Sequence, residues 1–258
     1  MKKTIIALII YWLGIGVANS ADLFVPALPK EGSIIFAIER DYYYRGFTRS
    51  NKKNSTEFTF AYQTSDYFKI STQIKSVDFP FDPLKKRKAN YQINSSLGFD
   101  FDFPEEHVRF DFGTNFYNYP GSASALQKKY DYQEVYALLT LGTVQYNVSI
   151  ATFLSDDYFN SNGKSSYYQL GLNINIARGL DFLVSGSRFT LHERDLANFT
   201  GVVSSTTNYD LYELGLYMGL PEFNIVAGYS RVGLSEKFCP IYNGCKDKFN
   251  FKLTVALD

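Results

Sequence analysis

Apolar and polar residues alternate along most of this chain with the two-residue period of a β-strand. Phe58, Phe60 and Tyr62 alternate with Glu57, Thr59, Ala61 and Gln63. Tyr91, Ile93, Leu97, Phe99, Phe101 and Phe103 alternate with Gln92, Asn94, Ser96, Gly98, Asp100 and Asp102. The same rhythm runs through Tyr168, Leu170, Leu172, Ile174 and Ile176, and again through Phe249, Phe251, Leu253, Val255 and Leu257. The pattern predicts twelve strands, near 33–47, 55–64, 67–78, 90–103, 107–119, 130–141, 143–154, 164–176, 179–190, 206–219, 222–233 and 247–257.

The connections are of two kinds. Short ones fall at Ser65-Asp66, Pro104-Glu105-Glu106, Gly142, Ala177-Arg178 and Leu220-Pro221. Long polar ones fall at 49–54, 79–89, 121–129, 155–163, 192–205 and 234–245. Long and short alternate without a break, which is the plan of an all-β, transmembrane, up-and-down antiparallel β-barrel of about twelve strands. Only a closed barrel satisfies every backbone polar group of a strand in lipid. A soluble sandwich also alternates, but the faces here, rich in Phe, Tyr, Leu and Ile and poor in charge, favour lipid outside.

At the start, Lys2 and Lys3 precede an apolar run from Ile5 to Val17, and Ala18-Asn19-Ser20 follows it. That is a secretory signal peptide over 1–20, leaving 21–258 as the barrel domain. Its loss takes two lysines and no acid from a balance of 26 and 26, so the exported chain carries a net charge of −2. The only Trp, Trp12, goes with it. Such a balance offers no grip on nucleic-acid phosphates. Two histidines, His107 and His192, make no metal-ligand cluster, and no cofactor is expected. Both termini are expected at the periplasmic rim of an outer-membrane barrel.

Three segments carry a family resemblance. Asp41-Tyr42-Tyr43-Tyr44-Arg45-Gly46-Phe47 opens the barrel, Phe116-Tyr117-Asn118-Tyr119-Pro120-Gly121 ends a middle strand, and Tyr132-Gln133-Glu134-Val135-Tyr136 follows it. In order and spacing they resemble the TorF-like porin family of Gram-negative outer-membrane β-barrels. The resemblance implies a channel and leaves its solute open; selection of small hydrophilic solutes is the expectation from the charges on the inward face. Arg49-Ser50 departs from the family's usual Ser-Gln-like residues.

With aromatic faces toward lipid, the inward positions hold Glu39, Asp41, Arg45, Glu57, Lys69, Lys75, Asp100, Asp102, Arg109, Asp111, Glu134, Glu213 and Lys252. Turn lengths predict Asp102 opposite Arg109, Asp100 opposite Asp111 and Glu57 opposite Lys75. These residues form either a mixed-charge constriction or a neutralised network that closes a narrow barrel. Arg45 reaches across the mouth or pairs with a neighbouring strand, for example with Glu134. Twelve strands give a backbone diameter of roughly 24 Å before side chains fill it. Arg40 falls on the lipid face by strict alternation, and a bulge near 39–41 would turn it away. Tyr42, Tyr44, Tyr117, Tyr119, Tyr130, Tyr132 and Tyr136 are expected to form an interfacial girdle.

Cys239 and Cys245, with five residues between them in the last long connection of an exported chain, read as a disulfide. No Gly-x-Ser-x-Gly element accompanies either histidine, so no catalysis is expected. Lys85-Lys86-Arg87-Lys88 is either a solvated run or a contact to lipopolysaccharide phosphates, and adhesion through the long loops is the competing role. Outer-membrane lipid and lipopolysaccharide are the expected partners, with small solutes. The oligomeric state is open.

Overall fold

The computed structural model of the chain describes residues 32–40, 42–44, 47–50, 53–63, 67–79, 89–121, 131–143, 145–156, 164–191, 207–219, 224–233 and 248–257. Among them, twelve antiparallel strands close into a barrel. In chain order these are β1 (Ser33–Arg40), β4 (Asn54–Gln63), β5 (Phe68–Phe79), β6 (Ala89–Phe103), β7 (Val108–Asn118) and β8 (Tyr132–Gly142). The second half is β9 (Tyr146–Asp156), β10 (Lys164–Ala177), β11 (Leu180–Leu191), β12 (Thr207–Gly219), β13 (Asn224–Gly233) and β14 (Lys248–Leu257). Two short strands, β2 (Tyr43–Tyr44) and β3 (Phe47–Thr48), form a separate ribbon. Every barrel strand pairs with its chain neighbours, and β14 pairs with β1 to close the ring.

Alternation sets the faces. In β1 and β4 burial alternates strictly, with Ile34, Phe36, Ile38, Phe58 and Phe60 all outside and about 40–45% exposed. Leu97, Val135, Ile150, Leu154, Leu170 and Ile176 continue this belt. So continuous an apolar outer surface has no place in water and suits a hydrocarbon layer.

The short turns fix the register. In the β6–β7 hairpin the His107 N–H donates to Pro104 O at 3.4 Å, so Glu105-Glu106 form the two-residue turn. Asp102 then stands opposite Arg109, and Asp100 opposite Asp111. Glu57 stands opposite Lys75. The β10–β11 turn is Arg178-Gly179, one residue later than the sequence suggests, because Ala177 still pairs with Leu180. Gly142 has φ +133° and donates its N–H to His107 O at 2.9 Å, tying two neighbouring turns together.

The first strand departs from expectation. It ends at Arg40, not at 47, because Arg40 pairs with Asn54, where β4 begins. Beyond that point β4 offers no ladder, and the chain turns into the β2–β3 ribbon. No bulge turns Arg40 away from the outer face: alternation is unbroken through it, and it remains exposed at the strand's end. A long cationic side chain at a strand terminus reaches the headgroup level, so the penalty anticipated for the midplane does not apply.

Candidate functional site: a two-sided lumen

The inner wall divides by strand. From β14 through β1, β4 and β5 to β7 it carries ion pairs. Lys75 Nζ lies 3.0 Å from Glu57 Oε2 and 3.5 Å from Glu39 Oε2, while Lys252 Nζ lies 2.9 Å from Glu57 Oε2. Thr59 Oγ1 donates to the other Glu57 oxygen at 3.3 Å. Glu39, Glu57 and Lys75 are buried, and Lys252 keeps 23% of its side chain exposed. Two acids and two bases make the group neutral. Neutrality permits the burial, since an unpaired charge in a low-dielectric interior costs several kcal/mol.

Further along the wall, Lys69 of β5 pairs with buried Asp111 of β7. Arg109 of β7 grips Asp100 of β6 through two N–H groups, with Nε to Oδ1 at 2.8 Å. It takes Asp100, diagonal to it, although Asp102 is its register partner. Asp102 is exposed next to the Pro104–His107 turn, and His107 is exposed within it. Glu134 of β8 accepts from Ser155 Oγ at 3.0 Å, and Glu213 of β12 accepts from Ser185 Oγ at 3.1 Å. Both are buried. Asp41, Arg45, Cys239, Cys245, His192 and the run 85–88 lie outside the described residues, as do residues 1–20.

From β8 to β12 the upper inner wall is aromatic. A single row of register partners holds Tyr136, Phe153, Tyr167, Phe189 and Tyr209. Neighbouring ring centroids are 6.1, 5.7, 5.9 and 5.3 Å apart, turning from stacked at one end to edge-on at the other. Tyr117 and Tyr132 stack at 4.4 Å just above the row's start. This corrects the interfacial girdle. Tyr117, Tyr119, Tyr132 and Tyr136 are buried, and the strand residues among them face inward, because Phe116 and Val135 beside them take the outward parity. Tyr42 is buried too, while Tyr130 and the side chain of Tyr44 lie outside what is described. Below the row, Ser149, Gln169, Asn147, Asn173, Ser185 and Ser187 give the wall a hydrogen-bonding lining, which also holds the buried Asp181, its Oδ1 accepting from Asn175 Nδ2 at 2.6 Å.

The connection after β1 joins the two sides. The Arg49 N–H donates to Tyr42 O at 2.7 Å, the Tyr42 N–H to Ser50 Oγ at 2.8 Å, and the Asp78 N–H to Arg49 O at 2.8 Å. Tyr42 and Arg49 are both fully covered. Lys75 Nζ sits 3.6 Å from the centroid of the Tyr42 ring, and the Arg49 guanidinium 5.9 Å from that of Tyr119. Tyr119 in turn donates its hydroxyl to Gln92 Oε1 at 3.0 Å. The first connection is therefore fastened to β5 and to the end of β7 by two cation–π contacts. Arg49 supplies one of them.

Among the described residues no group of three or more His, Cys, Asp or Glu is placed to hold a metal ion. The wall thus presents paired charge from β14 round to β7, and from β8 to β12 hydroxyl, amide and ring surfaces with the buried acids Glu134, Asp181 and Glu213 among them.

Residues 25–185 match the family model Gcw_chp, described as a bacterial protein of unknown function. No curated protein matches the sequence. In solved structures the chain is similar to a KdgM porin, at 8% identity and a TM-score of 0.53, over 88% of this chain and 98% of that one. It is also similar to a KdgM porin in complex with disordered oligogalacturonate, at 7% identity and a TM-score of 0.55 over the same shares. The fold is thus that of an outer-membrane porin barrel.

Proposed function

This chain belongs to the Gcw_chp family, bacterial proteins of unknown function, and from its lumen we propose that it is an outer-membrane channel for small hydrophilic solutes. The observation that carries this is the make-up of the wall: ion pairs from β14 through β1, β4 and β5 to β7, a largely neutral hydrogen-bonding lining on β9–β11 in which Asp181 is held by Asn175, and an apolar belt outside. A solute rich in hydroxyl groups exchanges water for such a lining at little cost. One of the similar barrels was solved with oligogalacturonate, and a sugar is a solute of the class this lining suits. The three motifs support placing the chain with the TorF-like porins, as an exported protein with its long connections outside and both termini in the periplasm. We assign it no covalent chemistry and no cofactor. Its lipid partners are those of the outer membrane, lipopolysaccharide included.

Single-channel recording in a planar bilayer tests this. The expected result is stable, ohmic steps, with Lys252→Gln shifting the reversal potential toward cations. A barrel that folds, shows heat-modifiable gel migration and never conducts would overturn it.

Full burial of Tyr42 and Arg49 favours a second reading, a closed barrel acting through its long loops. Tyr42→Ala separates the two. Loss of the ring under Lys75 should raise the conductance of an open channel measurably, and should leave a closed one silent.

A further inference from the structure

On the outer wall, strands β7–β12 border a groove of about 660 Å³ that opens toward the membrane. Its floor is small, at Ala137, Thr152 and Gly186, while Tyr168, Leu170 and Tyr212 stand at its sides. Two residues nearer the long connections than Gly186 and Tyr212, the groove meets an ion pair. Arg188 of β11 and Asp210 of β12 are register partners, with Nε to Oδ1 at 2.8 Å and Nη2 to Oδ2 at 3.2 Å. Their side chains are 64% and 34% exposed. Arg231 of β13, opposite Tyr212, also faces outward and is exposed. Among the described residues, the Arg188–Asp210 pair therefore stands at the end of an apolar channel, with Arg231, engaged in contacts of its own, beside it.

Charges on a barrel's outer face belong at headgroup level, where tyrosines also favour the boundary. A guanidinium has more N–H donors than one carboxylate takes, and phosphate suits the remainder. We propose that this groove binds one phosphorylated glycolipid of the outer leaflet, with an acyl chain over Gly186 and a phosphate on Arg188. The choice of leaflet rests on the reading above, which puts the long connections outside.

Native mass spectrometry of the full barrel released from detergent, with lipid A or phosphatidylglycerol added in equal amounts, tests it. Lipid A should be retained in preference. Arg188→Gln should cut the adduct about tenfold, the worth of one charge-assisted hydrogen bond. Asp210→Asn, which removes the competing carboxylate, should raise it. Gly186→Leu should abolish it with the barrel intact, because a Cβ there meets only Tyr212 ring carbons, at 3.8 and 4.0 Å. Equal adducts in wild type, Arg188→Gln and Gly186→Leu would overturn the site, as would a dimer of the chain in place of a lipid adduct. Preference for phosphatidylglycerol would overturn the leaflet. None of these results bears on conduction, whereas a chain that stays in solution without detergent would overturn both readings together.

Discussion

Gly113→Val is expected to leave little folded barrel. Gly113 stands opposite Gly98 on β6 and Tyr136 on β8, and all three share one inward notch. A Cβ on Gly113 would run into the Leu97 carbonyl and come within 2.7 Å of the Gly98 Cα and 2.9 Å of the Tyr136 hydroxyl. Two of these obstacles are backbone held in the β6–β7 ladder, so neither can rotate aside. Overpacking costs about 1–3 kcal/mol where side chains yield, and the upper end or beyond where they cannot. Gly171→Ala is the control, since its Cβ would meet mainly the Ser149 hydroxyl, which can turn. Urea midpoints by far-ultraviolet circular dichroism in detergent would compare the two. Similar midpoints for Gly113→Val and wild type would show that the notch is not tight.

Lys75→Met is expected to destabilise the barrel by about 3–5 kcal/mol, the range for removing one member of a buried ion group. The methionine keeps the volume but strands Glu39 and Glu57 with Lys252 as their shared cation. It also withdraws the charge from over the Tyr42 ring, loosening the first connection. The double variant Lys75→Met, Glu39→Gln should recover most of the loss, because Glu57 still has Lys252 at 2.9 Å. Failure of the second change to restore the urea midpoint would mean that Lys75 acts by packing and not by charge.

Much of this was legible in the sequence, because strand parity is a strong constraint. The period-two pattern gives eleven of the twelve barrel strands to within a few residues. It also puts Glu57 against Lys75 and Asp102 against Arg109, since a short turn leaves no freedom of register. The aromatic row was not among those expectations, although parity implies it: with Tyr168, Leu170 and Leu172 outward, Tyr167 must face in, and Phe153 follows from Ile150 and Leu154. Tyrosine's preference for membrane boundaries drew attention to where Tyr117 and Tyr132 lie along the strands and away from which face they take. The first connection was not legible. Asp41–Phe47 alternates well enough to continue a strand, and nothing local records that β4 begins only at Asn54. The Arg109–Asp100 pairing escaped for a similar reason, since register names the facing residue but not the one a long side chain reaches.

The Lys252–Glu57 contact has a consequence for how the ring closes. Lys252 lies on the last strand, Glu57 on the second strand of the barrel, and β1 runs between them with only the Ala37 methyl opposite Glu57. The contact therefore forms only once the two ends of the chain have met. A slip of one residue at that joint would turn Lys252 into lipid and leave Glu57 short of a cation. The neutral cluster thus favours one register at the seam over its neighbours by the cost of a charge on the wrong side of the wall.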